Sequence, residues 1–335
     1  MPPMHPLEAP AVVTTLPSGA EWAFGGHPYG LEPLALPSRW VPRTVPVDSM
    51  RIEDLRERLA HASPASIHDL RPDSAEDIDR LFWFRWITAH QTTFLLWQML
   101  GAILRESEAA RVEHEELATQ ARLLVCGYSL MLMYGSSAPR HIYGPVIRMP
   151  MARQHVNLTG AWARDYPAVR PLIRGKVTIG SGTVAEALRH ECELNEQVHE
   201  GIADKVLSSG EVSLLQSPKP KGRQQIPRDT LMWLYDGIFL TSRAAAVSQL
   251  AAASQLVRRL HAIFLDVTAN GLYPSFAPSA HEEPPRLRTP EVMRRKAGLA
   301  DCVMEIMSLV SAPATQAHPS RTVRTNSTMR KLRNT

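Results

Sequence analysis

His90 lies in the aromatic run Leu81-Phe82-Trp83-Phe84-Arg85-Trp86-Ile87-Thr88-Ala89-His90-Gln91-Thr92-Thr93-Phe94-Leu95-Leu96-Trp97. On an α-helix Trp83, Trp86, His90, Phe94 and Trp97 follow at intervals of 3, 4, 4 and 3 and form one stripe. Imidazole has an unperturbed pKa of about 6.5, so it can take or give a proton at neutral pH. An aromatic face beside it suits a flat apolar cofactor or an aromatic substrate. The same stripe also reads as a core face with a hydrogen-bonded histidine, and the pattern leaves both open.

A second candidate is Ala187-Leu188-Arg189-His190-Glu191-Cys192-Glu193-Leu194-Asn195-Glu196-Gln197-Val198-His199-Glu200-Gly201-Ile202. At helical spacing Cys192, Asn195, Ile202, Ala203 and Val206 share the side of His199, which then borders an apolar face as an inward-pointing metal ligand would. His190 lies nine residues earlier, about half a turn away in angle, and reads as part of a solvated charged face. Glu196 and His199 have the Glu-x-x-His spacing of carboxylate-bridged di-iron bundles, but no second such pair is found. A third stretch, Ser136-Ser137-Ala138-Pro139-Arg140-His141-Ile142-Tyr143-Gly144-Pro145-Val146-Ile147-Arg148, reads as a loop presenting hydroxyls, a tyrosine and two arginines. Arginine pairs bidentately with carboxylates, so Arg148 is a candidate for an acidic group of a substrate; Arg140 and Arg148 also read as plain surface charges.

Helices must position these residues. Asp48-Ser49 and Asp73-Ser74 read as helix starts, the second opening a pattern to about Ser107. Further helical runs are expected near 108–134, 182–208, 229–268 and 290–311. No stretch alternates long enough to give a convincing sheet, so the fold class is all-α. Residues 1–47 hold ten of the 27 prolines and read as an irregular arm whose apolar residues pack on something, plausibly a partner subunit in a homodimer. Residues 48–311 form the helical domain, with 208–228 as a connecting loop or lid.

Residues 312–335 carry Arg321, Arg324, Arg330, Lys331 and Arg333 and no acid, and read as a disordered basic tail. That tail accounts for +5 of the net +4, leaving the other residues at −1. A basic body that binds nucleic acid is therefore not expected. Cys126, Cys192 and Cys302 are widely spaced with no Cys-x-x-Cys pair, against a disulfide framework or thiolate metal cradle. The opening Met1-Pro2-Pro3-Met4 lacks the features of a signal peptide and no long apolar span occurs, so a cytoplasmic, membrane-free protein is expected.

His90-Gln91-Thr92-Thr93-Phe94-Leu95-Leu96-Trp97 resembles the His-Gln-x-x-Glu-Leu-Trp helix of tryptophan 2,3-dioxygenase, a helical haem enzyme with a histidine on iron. Over roughly residues 20–310 the chain is more similar to the haem-dependent L-tyrosine hydroxylases of bacterial secondary metabolism. That likeness is carried by Phe24-Gly25-Gly26-His27-Pro28-Tyr29-Gly30, the His90 helix, His155 to Tyr166, and Glu196 to Asp204. The resemblance implies haem b, with a proximal histidine on iron and a distal histidine as acid–base. His90 matches the distal residue; His199 is the choice for iron ligand, with His190 as the alternative. A related branch attaches haem through His-x-x-x-Cys, which is absent here, so non-covalent haem is implied. Trp83, Trp86 and Phe94 would then pack near haem and substrate ring. In tryptophan 2,3-dioxygenase a tyrosine and an arginine four residues apart read the substrate carboxylate; Tyr143 and Arg148, five apart, are the counterparts here.

The implied reaction is ortho-hydroxylation of L-tyrosine to L-DOPA with hydrogen peroxide. Two other readings stand beside it: haem-dependent oxygenation of an indole, and a cofactor-free helical binding protein in which His90 and His199 are core residues.

Overall fold

Ser74 accepts a hydrogen bond from the Asp77 amide and starts the longest helix, α1 (Ala75–Glu108), as its Asp-Ser signature predicts. In the computed structural model the described residues are 23–24, 27–28, 31–37, 70–109, 114–155, 158–206, 226–244, 247–274, 276 and 283–311. The expected helix start at Asp48, most of the 208–228 connection and the basic tail lie outside them. The architecture is helical, as the patterning required: α1 and α2 (His114–Gly135) pack as a pair, and α6 (Gly182–Val206) packs on α2. Between α2 and α6 come α3 (Arg140–Ile142), a π-helical turn (Tyr143–Arg148), α4 (Met149–Gln154), a 3₁₀ turn (Gly160–Trp162) and α5 (Tyr166–Ile173). The chain continues through α7 (Arg228–Ile238), α8 (Gln249–Asn270), a 3₁₀ turn (Pro285–Arg288), α9 (Pro290–Ala297) and α10 (Leu299–Ser311). No helix among the described residues is long and apolar enough to cross a membrane.

Three expectations change. The 229–268 run is two helices, broken where Leu240 takes a left-handed backbone (φ 44) and the chain turns into a short strand. Ser136 to Pro139 form the expected connection, but from Arg140 the stretch is helical rather than a loop: Pro145 lacks an amide hydrogen and its ring would collide with the carbonyl one α-turn back, and the chain here widens into a π-turn. The arm is not wholly irregular. Ala23–Phe24 (β1) pairs antiparallel with His27–Pro28 (β2), and Leu34–Pro37 (β3) pairs in parallel with Thr241–Ala244 (β4), Leu34 opposite Thr241. Leu34 and Leu36 are fully buried in the chain's own core, and the other edge of β3 is closed by Gln255, whose amide takes Ala35 N–H and donates to Ala35 O at 2.8 Å each.

The core is anchored by a buried ion pair. Arg85 and Asp266 meet bidentately, Nε to Oδ2 at 2.7 Å and an Nη to Oδ1 at 3.0 Å. The remaining guanidinium hydrogens go to Ser137 Oγ and the carbonyls of Gly271 and Leu272, and the Tyr134 hydroxyl donates to Asp266 Oδ2 at 2.7 Å. Such a pair survives burial because every donor is satisfied. It ties α1 to the C-terminal end of α8 and the end of α2.

Candidate functional site

From Phe82 to Ile103 helix α1 is mostly buried; Phe84, Trp86, His90, Gln98 and Met99 are half-buried, and of these Trp86 and His90 lie one turn apart. The Trp86 and His90 rings lie 4.1 Å apart. His90 Nδ1 is 2.7 Å from the Trp86 carbonyl oxygen. A carbonyl only accepts, so Nδ1 carries the proton and Nε2 keeps its lone pair. Burial pushes the His90 pKa down to about 4, with the bond to Trp86 opposing it. At neutral pH the ring is uncharged, with one nitrogen committed to the backbone and the other available as a base or a ligand.

The ring that stacks on His90 is Phe239, 4.3 Å away and 9° from parallel, which no local pattern around His90 could reveal. Phe239 is fully buried and is also packed by Phe94 at 5.6 Å and Tyr235 at 4.9 Å. It caps the C-terminal end of α7, just before the left-handed Leu240. Its carbonyl accepts from Gln91 Nε2 at 2.8 Å and from Thr241 Oγ1 at 3.1 Å. Gln91 is itself held by Arg259 Nε at 2.9 Å, and Arg259 donates to the Glu32 carboxylate and backbone carbonyl. All three of these polar residues are buried. Gln91, Arg259 and Glu32 thus fix the histidine's stacking partner through its main chain, a role that sequence reasoning missed. The one available hint was Gln91 itself, a long amide beside His90 in an otherwise apolar segment.

Tyr143 and Arg148 span the π-turn. Five residues of an α-helix advance about 140° beyond a full turn, which would send the two side chains apart. The π-turn closes over five residues, as the Met149 amide donating to the Gly144 carbonyl shows, and brings Tyr143 and Arg148 towards one side. Arg148 is close enough to stabilise a Tyr143 phenolate, although burial dominates and raises the Tyr143 pKa. Tyr143 meets Trp86 edge-on at 6.0 Å. The structure therefore assembles His90, Trp86, Phe239 and Tyr143 in one place, with Phe94 behind Phe239 and Arg148 beside Tyr143.

Other expected residues fall elsewhere. Trp83 is fully buried in the core and is not placed to line an open site. His199 does not sit on the inward stripe of α6: that stripe is Leu188, Cys192, Asn195, Val198 and Gly201, and His199, one residue past Val198, is exposed. Its pKa is nonetheless lowered, by desolvation first and by the Arg174 guanidinium second. His190 is exposed, near Glu193 and Glu291 at 3.9 and 3.8 Å. Glu196 pairs with Arg174, and the described residues contain no cluster of three or more His, Cys, Asp or Glu able to hold a metal ion, so the di-iron reading has no support.

Donor chemistry is the test for haem. An iron ligand must be a neutral imidazole, and both His90 and His199 are biased to the neutral form by desolvation. His199 is exposed on α6, and the aromatic wall at Trp86 and Phe239 would suit a planar ring system. A donor of the right type and a flat aromatic face are thus both present, on separate elements: His199 on α6, which packs on α2, and the aromatic wall on α1 and α7; Trp83 does not contribute. No protein-family model matches the chain and no curated protein sequence matches it.

Proposed function

We propose that the chain is a haem-dependent L-tyrosine 3-hydroxylase, a cytoplasmic enzyme that uses hydrogen peroxide to convert L-tyrosine to L-DOPA. The observation that carries this reading is His90: neutral, tethered through Nδ1 so that Nε2 keeps its lone pair, and half-buried beside Trp86, Phe239 and Tyr143. Haem b, when bound, supplies the activation of peroxide that delivers one oxygen atom to the ring carbon beside the phenol.

The protein's own groups do the rest. His199 offers iron a neutral imidazole. His90 Nε2 accepts the phenol proton as oxygen is transferred, which raises electron density at the ortho carbon. Its tether to Trp86 keeps the ring oriented, so the protonated state is formed in place with little reorganisation. Arg148 pairs with the substrate carboxylate and Tyr143 donates to it, both presented by the π-turn. Trp86 and Phe239 flank the imidazole and keep water from competing for its lone pair.

The test is the absorption spectrum of protein produced with a haem precursor, followed by addition of L-tyrosine and hydrogen peroxide. A Soret band with catechol formation supports the proposal. A Soret band without catechol rejects tyrosine as substrate, and a colourless folded protein rejects haem. His199→Ala should lose haem, whereas His90→Ala should retain haem and lose hydroxylation. Retention of haem by His199→Ala would move the iron ligand to another histidine.

A further inference from the structure

Cys126 on α2 and Cys302 on α10 are 176 positions apart in sequence, yet their sulfurs lie 3.6 Å apart, the Cys302 thiol donating to Cys126. Both are free and buried. The two helices pack on one another beside the thiols. An added Cβ at Gly127 would lie 2.5 Å from Ile306 Cδ1, and Ile306 is one turn beyond Cys302 on α10. Arg295, at the end of α9, is paired with the buried Glu191 of α6 and senses both sulfurs: burial opposes its charge, but Cys126, Glu191 and Cys302 together hold it above the ordinary arginine range. This cation offsets in part the hydrogen bond to Cys126, the burial and the Glu305 and Glu191 charges that push the Cys302 thiol up. Cys192, by contrast, is buried with no cysteine in hydrogen-bond range.

We propose that Cys126 and Cys302 form an oxidisable dithiol that peroxide closes to a disulfide, clamping α10 onto α2. In the first step one thiolate attacks a peroxide oxygen: an S–O bond forms, the O–O bond breaks, and the departing hydroxide takes up the thiol proton as water. In the second the other thiol attacks the sulfenic sulfur: the S–S bond forms, the S–O bond breaks, and the second water leaves. The two sulfurs together give two electrons to one peroxide, so two thiols and one hydrogen peroxide yield one disulfide and two waters. The separation requires the sulfurs to approach by about 1.5 Å to reach bonding distance, a side-chain adjustment between helices already in contact. Peroxide-driven closure needs no haem, so it stands or falls separately from the proposed hydroxylase activity.

The experiment uses the full chain, reduced, desalted, prepared without haem, and exposed to hydrogen peroxide. Thiols are then alkylated in denaturant and peptides mapped without reduction. The expected result is a peptide joining Cys126 to Cys302, lighter than the two reduced peptides by two hydrogens, with free thiols falling from three to one. Closing so long a loop should also raise the thermal midpoint of the oxidised protein by about 5 °C. Cys192→Ser should keep both effects; Cys302→Ser should lose both. The wild-type peptide map decides the matter even if a variant fails to fold. Three surviving thiols, sulfinic acids at Cys126 or Cys302 without a cross-link, or a bond to Cys192 would each overturn the proposal.

Discussion

Protonation of His90 should cost the fold a defined amount at acid pH. The ring titrates at about 4 when folded and at 6.5 otherwise, a displacement caused chiefly by burial. At 1.36 kcal/mol per pH unit this difference is worth about 3 kcal/mol. Because the unfolded chain takes up the proton first, the stability that His90 contributes is complete above pH 6.5 and is lost as pH falls from 6.5 towards 4. Between pH 7 and pH 4.5 the expected loss from this one group is about 2–3 kcal/mol. His199 and His261 also have lowered pKa values and act in the same direction, so the contribution of His90 must be isolated. The measurement is urea unfolding of wild type and His90→Gln at pH 7 and pH 4.5. Glutamine keeps an amide N–H for the Trp86 carbonyl but does not titrate, so the variant's stability should depend on pH less steeply by that amount. In the hydroxylase reading, the acid limb of the rate profile should lie near pH 4–5 and not near 6.5. An identical pH dependence in the two proteins would refute the assignment of His90 as a neutral, desolvated base.

Three further outcomes follow from the packing. Asp266→Ala leaves Arg85 charged and fully buried without a counter-ion, and should destabilise by about 3–5 kcal/mol; pairing Asp266→Leu with Arg85→Met should recover most of that in urea midpoints. Gly127→Ala drives a methyl into Ile306 Cδ1 and should cost about 1–3 kcal/mol, with Ile306→Val, which removes that atom, restoring the thermal midpoint. Phe239→Ala removes a fully buried ring and the face on which His90 stacks. It should cost about 3–5 kcal/mol and move the His90 pKa back towards 6.5, read by carbon-13 chemical shifts of the labelled imidazole.

Local chemistry of the chain determined the helices and the centre of the site. The interval pattern from Trp83 to Trp97 requires one aromatic stripe on one helix, and Asp73-Ser74 sets where that helix begins; both are properties of neighbours within a few turns. The position of His90 in that stripe marked it as a candidate, and the structure sets Trp86, Phe239 and Tyr143 around it. What the sequence alone left open was what stands opposite. Phe239, supplied 149 positions later, stacks on His90 because Gln91, Arg259 and Glu32 hold its main chain, and Leu240 must adopt a left-handed backbone to make the turn. Tyr143 and Arg148 come together through a π-turn at Pro145, whereas an α-helical count of five residues would separate them. His199 shows the same limit from the other side. Periodicity placed it next to apolar residues, but a residue on the flank of a stripe is covered or uncovered according to what the rest of the chain packs there. Burial, stacking and charge at this site are sums over elements distant in sequence, and only their assembly fixes them.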